Sequence, residues 1–287
     1  MNADDLPRLR EEIEAYGLWA NKGLGQHFLL DLNITRRIAR SAGDIGDKTV
    51  IEIGPGPGGL TRALLETGAH VIAIEKDPRF LPLLEPLVAC SGGRLKIVPG
   101  DAMELDEAQL LAQAFAPARE SSLSAQIISN LPYNVGTPLL VKWLKAGPWR
   151  GDMTLMFQKE VAQRIVAKPG VESYGRLAVL AQARCDCRLA FTVPARAFTP
   201  APKVASAVVR LTDRADPYPD LAALERVTAS AFGQRRKMLR AALRTLTPDT
   251  ETLLRDAKLE PTARAEQVDQ AGFRRLADAW AARGEPR

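Results

Sequence analysis

The tetrapeptide Asn130-Leu131-Pro132-Tyr133 concentrates the chemistry of this 287-residue sequence. An Asn side-chain oxygen and the carbonyl of Leu131 are two acceptors that could hold both hydrogens of an exocyclic amine. Such an amine on an aromatic base is a poor nucleophile, because its lone pair is delocalised into the ring. Acceptors on its hydrogens favour a more pyramidal, nucleophilic nitrogen. Tyr133 offers a face on which a base could stack. As a bare pattern the tetrapeptide could equally be a turn. Upstream, Gly54, Gly56 and Gly59 satisfy G-x-G-x-x-G, a spacing that permits a tight turn and close backbone approach to a ligand. Glu75 stands about 20 residues further on, where a carboxylate would accept both hydroxyls of a ribose. Alone, this set fits a nicotinamide, a flavin or S-adenosylmethionine, or else a tight structural turn. Pro55 and Pro57 lean away from a dinucleotide, since each removes an N–H that a pyrophosphate would want. Asp101, in Gly100-Asp101-Ala102, could accept from the exocyclic amine of a cofactor adenine, cap the next helix, or do both.

These residues need a scaffold, and the pattern from residue 49 onward supplies one. Apolar runs at 49–53, 71–74, 95–98, 126–129 and 153–157 read as strands. Helical segments lie between them, through 65 and at 78–88, 104–115, 138–145 and 160–167, and two further strands are expected at 177–183 and 205–211. Strand–helix alternation predicts an α/β fold, a Rossmann-like parallel sheet with helices on both faces and right-handed crossovers. Ligands bind such sheets at the carboxyl ends of the strands. The glycine loop, Glu75, Asp101 and Asn130 each sit at such an end. Ahead of the sheet, 6–16 reads as a short amphipathic helix, 21–29 as a glycine-rich basic loop, and 32–42 as a helix capped by Asp31 and stopped by Gly43. After a polar linker at 213–220, the segments 221–232, 234–246, 251–258 and 270–282 are helical in period, with Pro248 and Pro261 as breaks. Two domains are expected, 1–212 carrying the sheet and 213–287 all helical.

Composition narrows the class. Charged residues are 25% and apolar ones 46%, which supports a packed core and excludes wholesale disorder. The net charge of +5 is unevenly placed: residues 1–150 hold 16 Lys+Arg against 18 Asp+Glu, residues 151–250 hold 16 against 9, and the remainder is balanced. The excess therefore lies in one stretch, where an anionic partner would be met. That stretch includes Gln234-Arg235-Arg236-Lys237 at an expected helix start, and Arg176, Arg184, Arg188 and Arg196. A solvated face is the plainer reading of such a run; phosphate contact is the functional one. Three cysteines, Cys90, Cys185 and Cys187, make no disulfide framework and suit a reducing compartment. Cys185 and Cys187, two apart, would share one face of a strand and read as packing residues. With two histidines, His27 and His70, no zinc-spaced ligand set occurs and no metal is expected. The charged N-terminal segment predicts no secretory signal, and no run of 18 apolar residues occurs. A cytoplasmic protein with no membrane contact is expected.

The longer motifs resemble one family. GQHFLLD (25–31), EIGPGPGGLT (52–61), IEKD (74–77), GDAM (100–103), NLPYNVGTPLL (130–140), MFQKEVAQRIVA (156–167), YGRLAVLAQ (174–182), FTPAPKVASAVVRL (198–211) and FGQRRKMLR (232–240) occur in the order of the ribosomal RNA adenine N6,N6-dimethyltransferases. The chain is most similar to the bacterial small-subunit (16S) branch, the kasugamycin-resistance type. The resemblance implies a class I S-adenosylmethionine-dependent methyltransferase domain followed by a helical RNA-binding domain. It implies two methyl additions to N6 of each of two adjacent adenosines, in a hairpin near the 3′ end of 16S ribosomal RNA within the immature small subunit. S-adenosyl-L-methionine would be held by His27, Leu29, Gly54, Glu75, Asp101 and Asn130. Catalysis would fall to Asn130, Leu131, Pro132, Tyr133 and Phe198, with Tyr133 and Phe198 sandwiching the target adenine. His27 stands where the family often has Asn. Three other readings stay open: a ribosome-assembly checkpoint acting mainly by binding, a nicotinamide oxidoreductase on the glycine fingerprint alone, and large-subunit adenine methylation. A monomer is expected, since nothing in the sequence asks for an obligate dimer.

Overall fold

The computed structural model describes residues 9–18, 26–114 and 124–284. The first residues of the helix expected at 6–16, most of the glycine-rich loop, and the last residue of the helix expected at 104–115 lie outside these. In chain order the elements are α1 (Leu9–Ala15), β1 (Phe28–Leu29), α2 (Leu32–Ser41), β2 (Thr49–Ile53), α3 (Gly59–Glu66), β3 (His70–Glu75), α4 (Leu81–Cys90), β4 (Leu95–Pro99), α5 (Glu107–Ala114), β5 (Ala125–Asn130), α6 (Gly136–Leu144) and β6 (Arg150–Gln158). They continue with α7 (Lys159–Val166), α8 (Arg176–Arg184), β7 (Cys185–Val193), β8 (Phe198–Thr199), β9 (Ser206–Asp213), α9 (Leu221–Gly233), α10 (Leu239–Ala242), α11 (Thr250–Asp256) and α12 (Gln270–Ala281). Residues up to 162 form one compact unit with 189–212, and residues 163–188 form a second with 213 onward. The boundary read from the sequence lay at 212/213; the second unit also takes in 163–188.

Seven strands form one sheet in the order β4-β3-β2-β5-β6-β9-β7, and β1 pairs separately with β8. Strands β2 to β6 pair in parallel, while β9 runs antiparallel to β6. The sheet is therefore mixed, where the sequence pattern predicted a parallel one. An apolar run such as 205–211 does not reveal its own direction. The parallel strands read as nearly continuous apolar runs because both their faces are covered: Val50, Ile51, Val71, Ile72, Ile127, Ile128, Met153 and Leu155 are all fully buried. From β2 the chain builds outward through β3 and β4 on one side, and β5 and β6 fill the other. The order thus switches between β2 and β5, which opens a crevice at their carboxyl ends.

Several expected elements change. The strand expected at 177–183 is the helix α8. Its sequence, Leu-Ala-Val-Leu-Ala-Gln-Ala, is a short apolar run whose period suits either state, and its three alanines favour helix. Gly175, at the N-cap, marks its start. The strand comes next, as β7, and carries Cys185 and Cys187. The helix expected over 234–246 is broken. Residues 234–237 form a turn, Met238 bridges to Arg264, and only then does α10 begin. The side chain of Arg235 turns to the Glu266 carboxylate and the Glu172 carbonyl, so side-chain partners hold the turn. Helix α5 starts at Glu107, later than expected. Asp106 accepts from the N–H groups of Ala108 and Gln109 and so caps it.

The second unit has its own core. Leu224, Val227, Leu253, Leu254, Phe273, Leu276 and Ala277 are fully buried, and Phe232 stacks on Phe273 with ring centroids 5.4 Å apart. Tyr174 donates to the Val268 carbonyl at 3.0 Å, and Tyr218 to Asp278 at 2.7 Å. No helix among the described residues is long and apolar enough to cross a membrane.

Candidate active site

A single cleft in the first unit collects the carboxyl ends of β2, β3, β4 and β5. Gln26, His27, Leu29, Glu52, Gly54, Glu75, Lys76, Asp101, Asn130, Leu131, Pro132 and Tyr133 all line it. The parallel register brings them there: Ile53 pairs with Ile74, and Glu75 with Pro99, just ahead of Asp101. Ser129 donates to the Ile53 carbonyl at 2.7 Å, which ties the end of β5 to the start of the glycine loop. The two corners then meet. A Cβ on Gly54 would stand 3.5 Å from Pro132 Cγ, ordinary contact distance.

Glu75 is buried, and its carboxylate is fixed from two sides. Gly56 N–H donates to one oxygen at 3.0 Å and Asp77 N–H to the other at 2.7 Å. Burial raises its pKa above the ordinary glutamate value, against these hydrogen bonds. Asp101 accepts from Lys76 Nζ at 2.7 Å and from Met103 N–H at 2.9 Å; the Lys76 hydrogen bond, above all, holds its pKa below the ordinary value. It orders a turn and leaves the helix cap to Asp106. His27 Nδ1 lies 2.8 Å from the Pro200 carbonyl. A carbonyl only accepts, so Nδ1 carries the hydrogen and Nε2 is the other polar position on the ring. The His27 ring lies 5.4 Å from that of Tyr133. Tyr133 Oη and Ser206 Oγ are 2.5 Å apart, which anchors the aromatic ring to β9.

Every residue expected to hold the donor or to act in catalysis lines this cleft except one; the arginines and Lys237 marked for phosphate contact lie outside it. Phe198 is buried in the core, on β8, opposite Leu29 of β1, and its ring is not on the cleft wall. Three residues in or behind the cleft were missed. Glu52 is wholly buried, accepts from Thr61 Oγ1 at 2.7 Å, and has its pKa raised to about 8, mainly by burial. Its signal was a lone charge inside an apolar strand. Ser129 and Ser206 carried none, being single hydroxyls in strands.

Comparison with known proteins follows the same lines. A model of the family described as ribosomal RNA adenine dimethylase matches residues 17–281. The ribosomal RNA small subunit methyltransferase A of Phenylobacterium zucineum is 61% identical over 289 residues, spanning 99% of this chain and 96% of that protein. The crystal structure of a dimethyladenosine transferase from Plasmodium falciparum shares the fold, with a TM-score of 0.73 at 24% identity over 90% of this chain and 98% of that one. The 23S rRNA methyltransferase ErmE is similar at a TM-score of 0.64 and 26% identity, over 88% of this chain and 99% of that one. The chain, with its Rossmann-like class I methyltransferase sheet, belongs to the ribosomal RNA adenine dimethylase family.

Proposed function

We propose that the protein dimethylates N6 of two adjacent adenosines in a hairpin near the 3′ end of 16S ribosomal RNA. It would act on the immature small subunit, in the cytoplasm, as a monomer, with S-adenosyl-L-methionine as donor. The observation that carries this reading is the meeting of two corners in one cleft. The glycine loop with Glu75 and Asp101 forms one half, and Asn130 to Tyr133 forms the other.

The residues present fit the donor. Glu75 would accept from the ribose hydroxyls, and Asp101 from the adenine amine. Gly54 and Gly56 put no side chain between the backbone and a ligand at those two positions, and Pro55 and Pro57 leave the loop short of the N–H groups a pyrophosphate needs. Leu29 supplies an apolar wall, and His27 an imidazole held by the Pro200 carbonyl. Bound there, S-adenosylmethionine supplies a methyl group on a positively charged sulfur. Glu75 would favour that charge, whereas the charge of Asp101 is already met by Lys76.

On the acceptor side, Asn130 and the Leu131 carbonyl would take the two N6 hydrogens and point the nitrogen at the methyl carbon. Pro132 fixes the corner, and Tyr133 gives the flipped base a stacking face whose tilt is set by Ser206. The sandwich expected between Tyr133 and Phe198 requires Phe198 to leave the core when RNA binds. Base and donor together would fill the cleft and exclude water from the reacting atoms. The test is methyl transfer from labelled donor to immature small subunits, followed by nuclease digestion. N6,N6-dimethyladenosine in the digest supports the reading. Its absence, or label on large-subunit RNA instead, overturns it.

A further inference from the structure

The turn between β4 and α5 carries Asp101 and Ala102 into the cleft, and one side chain holds it from outside. Lys142, near the end of α6, directs three contacts at it: 2.6 Å to the Ala102 carbonyl, 2.7 Å to the Leu105 carbonyl and 2.9 Å to the Glu107 carboxylate. An ammonium has three hydrogens, so this arrangement saturates it. Glu107 is almost wholly buried and also accepts from Trp143 Nε1 at 2.9 Å. Burial of that carboxylate is tolerable because a cation and an indole N–H both serve it. Lys142, Glu107 and Trp143 do not line the cleft; they line a separate notch together with Leu105 and Trp149.

The rest of the turn is closed by its own backbone. The Asp101 carbonyl accepts from Glu104 N–H at 2.9 Å and Leu105 N–H at 3.1 Å. Leu105 folds over Gly100 so closely that a Cβ there would stand 3.0 Å from Leu105 Cδ1. From the β3 side the turn is held by Lys76 on the Asp101 carboxylate and by Gly100 N–H on the Glu75 carbonyl; from the α6 side it is held by Lys142. Its helix follows directly on the corner at 130–133, so one side chain joins the donor half of the cleft to the element that follows the acceptor half.

We propose that Lys142 is a positioning residue for the adenine end of the methyl donor, fixing the turn at 101–105 against α6. This rests on the reading of Asp101 as the group that accepts from the donor's adenine amine. A lysine that merely paired with Glu107 for stability would leave selectivity for that amine untouched.

The test compares binding of S-adenosylhomocysteine with S-inosylhomocysteine, in which a carbonyl replaces the adenine amine. Isothermal titration would use the full-length wild type, Asp101→Ala and Lys142→Met. Wild type prefers the adenosyl compound by about tenfold or more, the size of one charge-assisted hydrogen bond, and Asp101→Ala loses the preference. Lys142→Met retains no more than about a third of it, and its KM for S-adenosylmethionine rises about tenfold while kcat at saturating donor and KM for RNA stay within about twofold. A wild-type preference in Lys142→Met, or an equal loss of kcat and donor affinity, overturns the proposal. No preference in the wild type overturns the Asp101 reading and the proposal with it. Lys142→Arg keeps the charge but replaces three hydrogens radiating from one nitrogen with a longer planar fork, which does not match the two carbonyls and the carboxylate grouped round Nζ. It shows the same shift at smaller size, and should Lys142→Met fail to fold, a wild-type preference in Lys142→Arg overturns the proposal.

Discussion

At the scale of single residues, two side chains in the cleft make opposite demands. Asn130 must be polar for the chemistry. Asn130→Ala should keep RNA affinity within about threefold while single-turnover methyl transfer at saturating donor falls by about 10² to 10³, the usual cost of one well-placed hydrogen-bonding group; equal loss of RNA binding and transfer would mark Asn130 as structural. Glu52 is different, since its pKa of about 8 keeps it protonated near neutrality. Its folded pKa is raised above the unfolded value, so its contribution to stability is complete below the unfolded pKa, near 4.5, and is lost as pH rises through about 8. Urea unfolding at pH 5, 7 and 9 should show wild type losing stability across this range, on the order of a few kcal/mol, with Glu52→Gln flatter. A parallel pH dependence in the two proteins would refute this. Glu52 was legible only as an oddity in an apolar strand, because a sequence shows a charge but not its burial. Asn130 and Glu75 were legible because each ends a strand, where topology alone fixes their position.

At the scale of elements, the glycine loop shows how tightly a segment can be specified. Gly58 caps α3 at a φ of +85°, and a Cβ there would lie 2.6 Å from Leu87 Cδ1 on α4. Gly58→Ala combines a left-handed backbone with overpacking, and should cost roughly 2 to 4 kcal/mol, read as a lowered Tm and weaker donor binding. An unchanged Tm would show that α4 yields without penalty. The sequence motif marked Gly54, Gly56 and Gly59 but passed over Gly58, because the need for it comes from α4, a helix distant in sequence. The same reason hid α8 and Lys142. Leu-Ala-Val-Leu-Ala suits a strand as well as a helix, and a lysine near a helix end looks solvated until the two carbonyls it holds are seen. Phe198 is the converse case. Its motif is plain in sequence, but its pairing with β1 and its burial are tertiary facts.

At the scale of the whole molecule, charge separates two tasks. The cleft carries Glu52, Glu75, Asp77 and Asp101 against Lys76, whereas the positive excess of 151–250 includes exposed Arg188, Arg236, Lys237, Arg240 and Arg244. Part of that excess is already paired: Arg176 with Glu225, Arg214 with Asp186 and Asp216, Arg235 with Glu266. RNA affinity should therefore fall with salt less steeply than a count of cations implies. Four phosphate contacts would give a loss of roughly 50-fold between 50 and 200 mM salt. Donor affinity over the same range should change by less than about twofold. A flat response for RNA would leave the basic stretch as solvated surface.

The antiparallel strand β9 has a consequence for synthesis on the ribosome. β6 emerges with β5 already made, but its other neighbour, β9, lies beyond the whole segment 163–188 and β7. Until that stretch has been translated, β6 presents an unpaired edge carrying Met153, Leu155, Met156 and Phe157. An apolar edge left open in a nascent chain invites pairing with other chains. A slow codon run or a stalled ribosome between 163 and 205 would therefore be more harmful than one after 213, and this is the window in which a chaperone would be needed most.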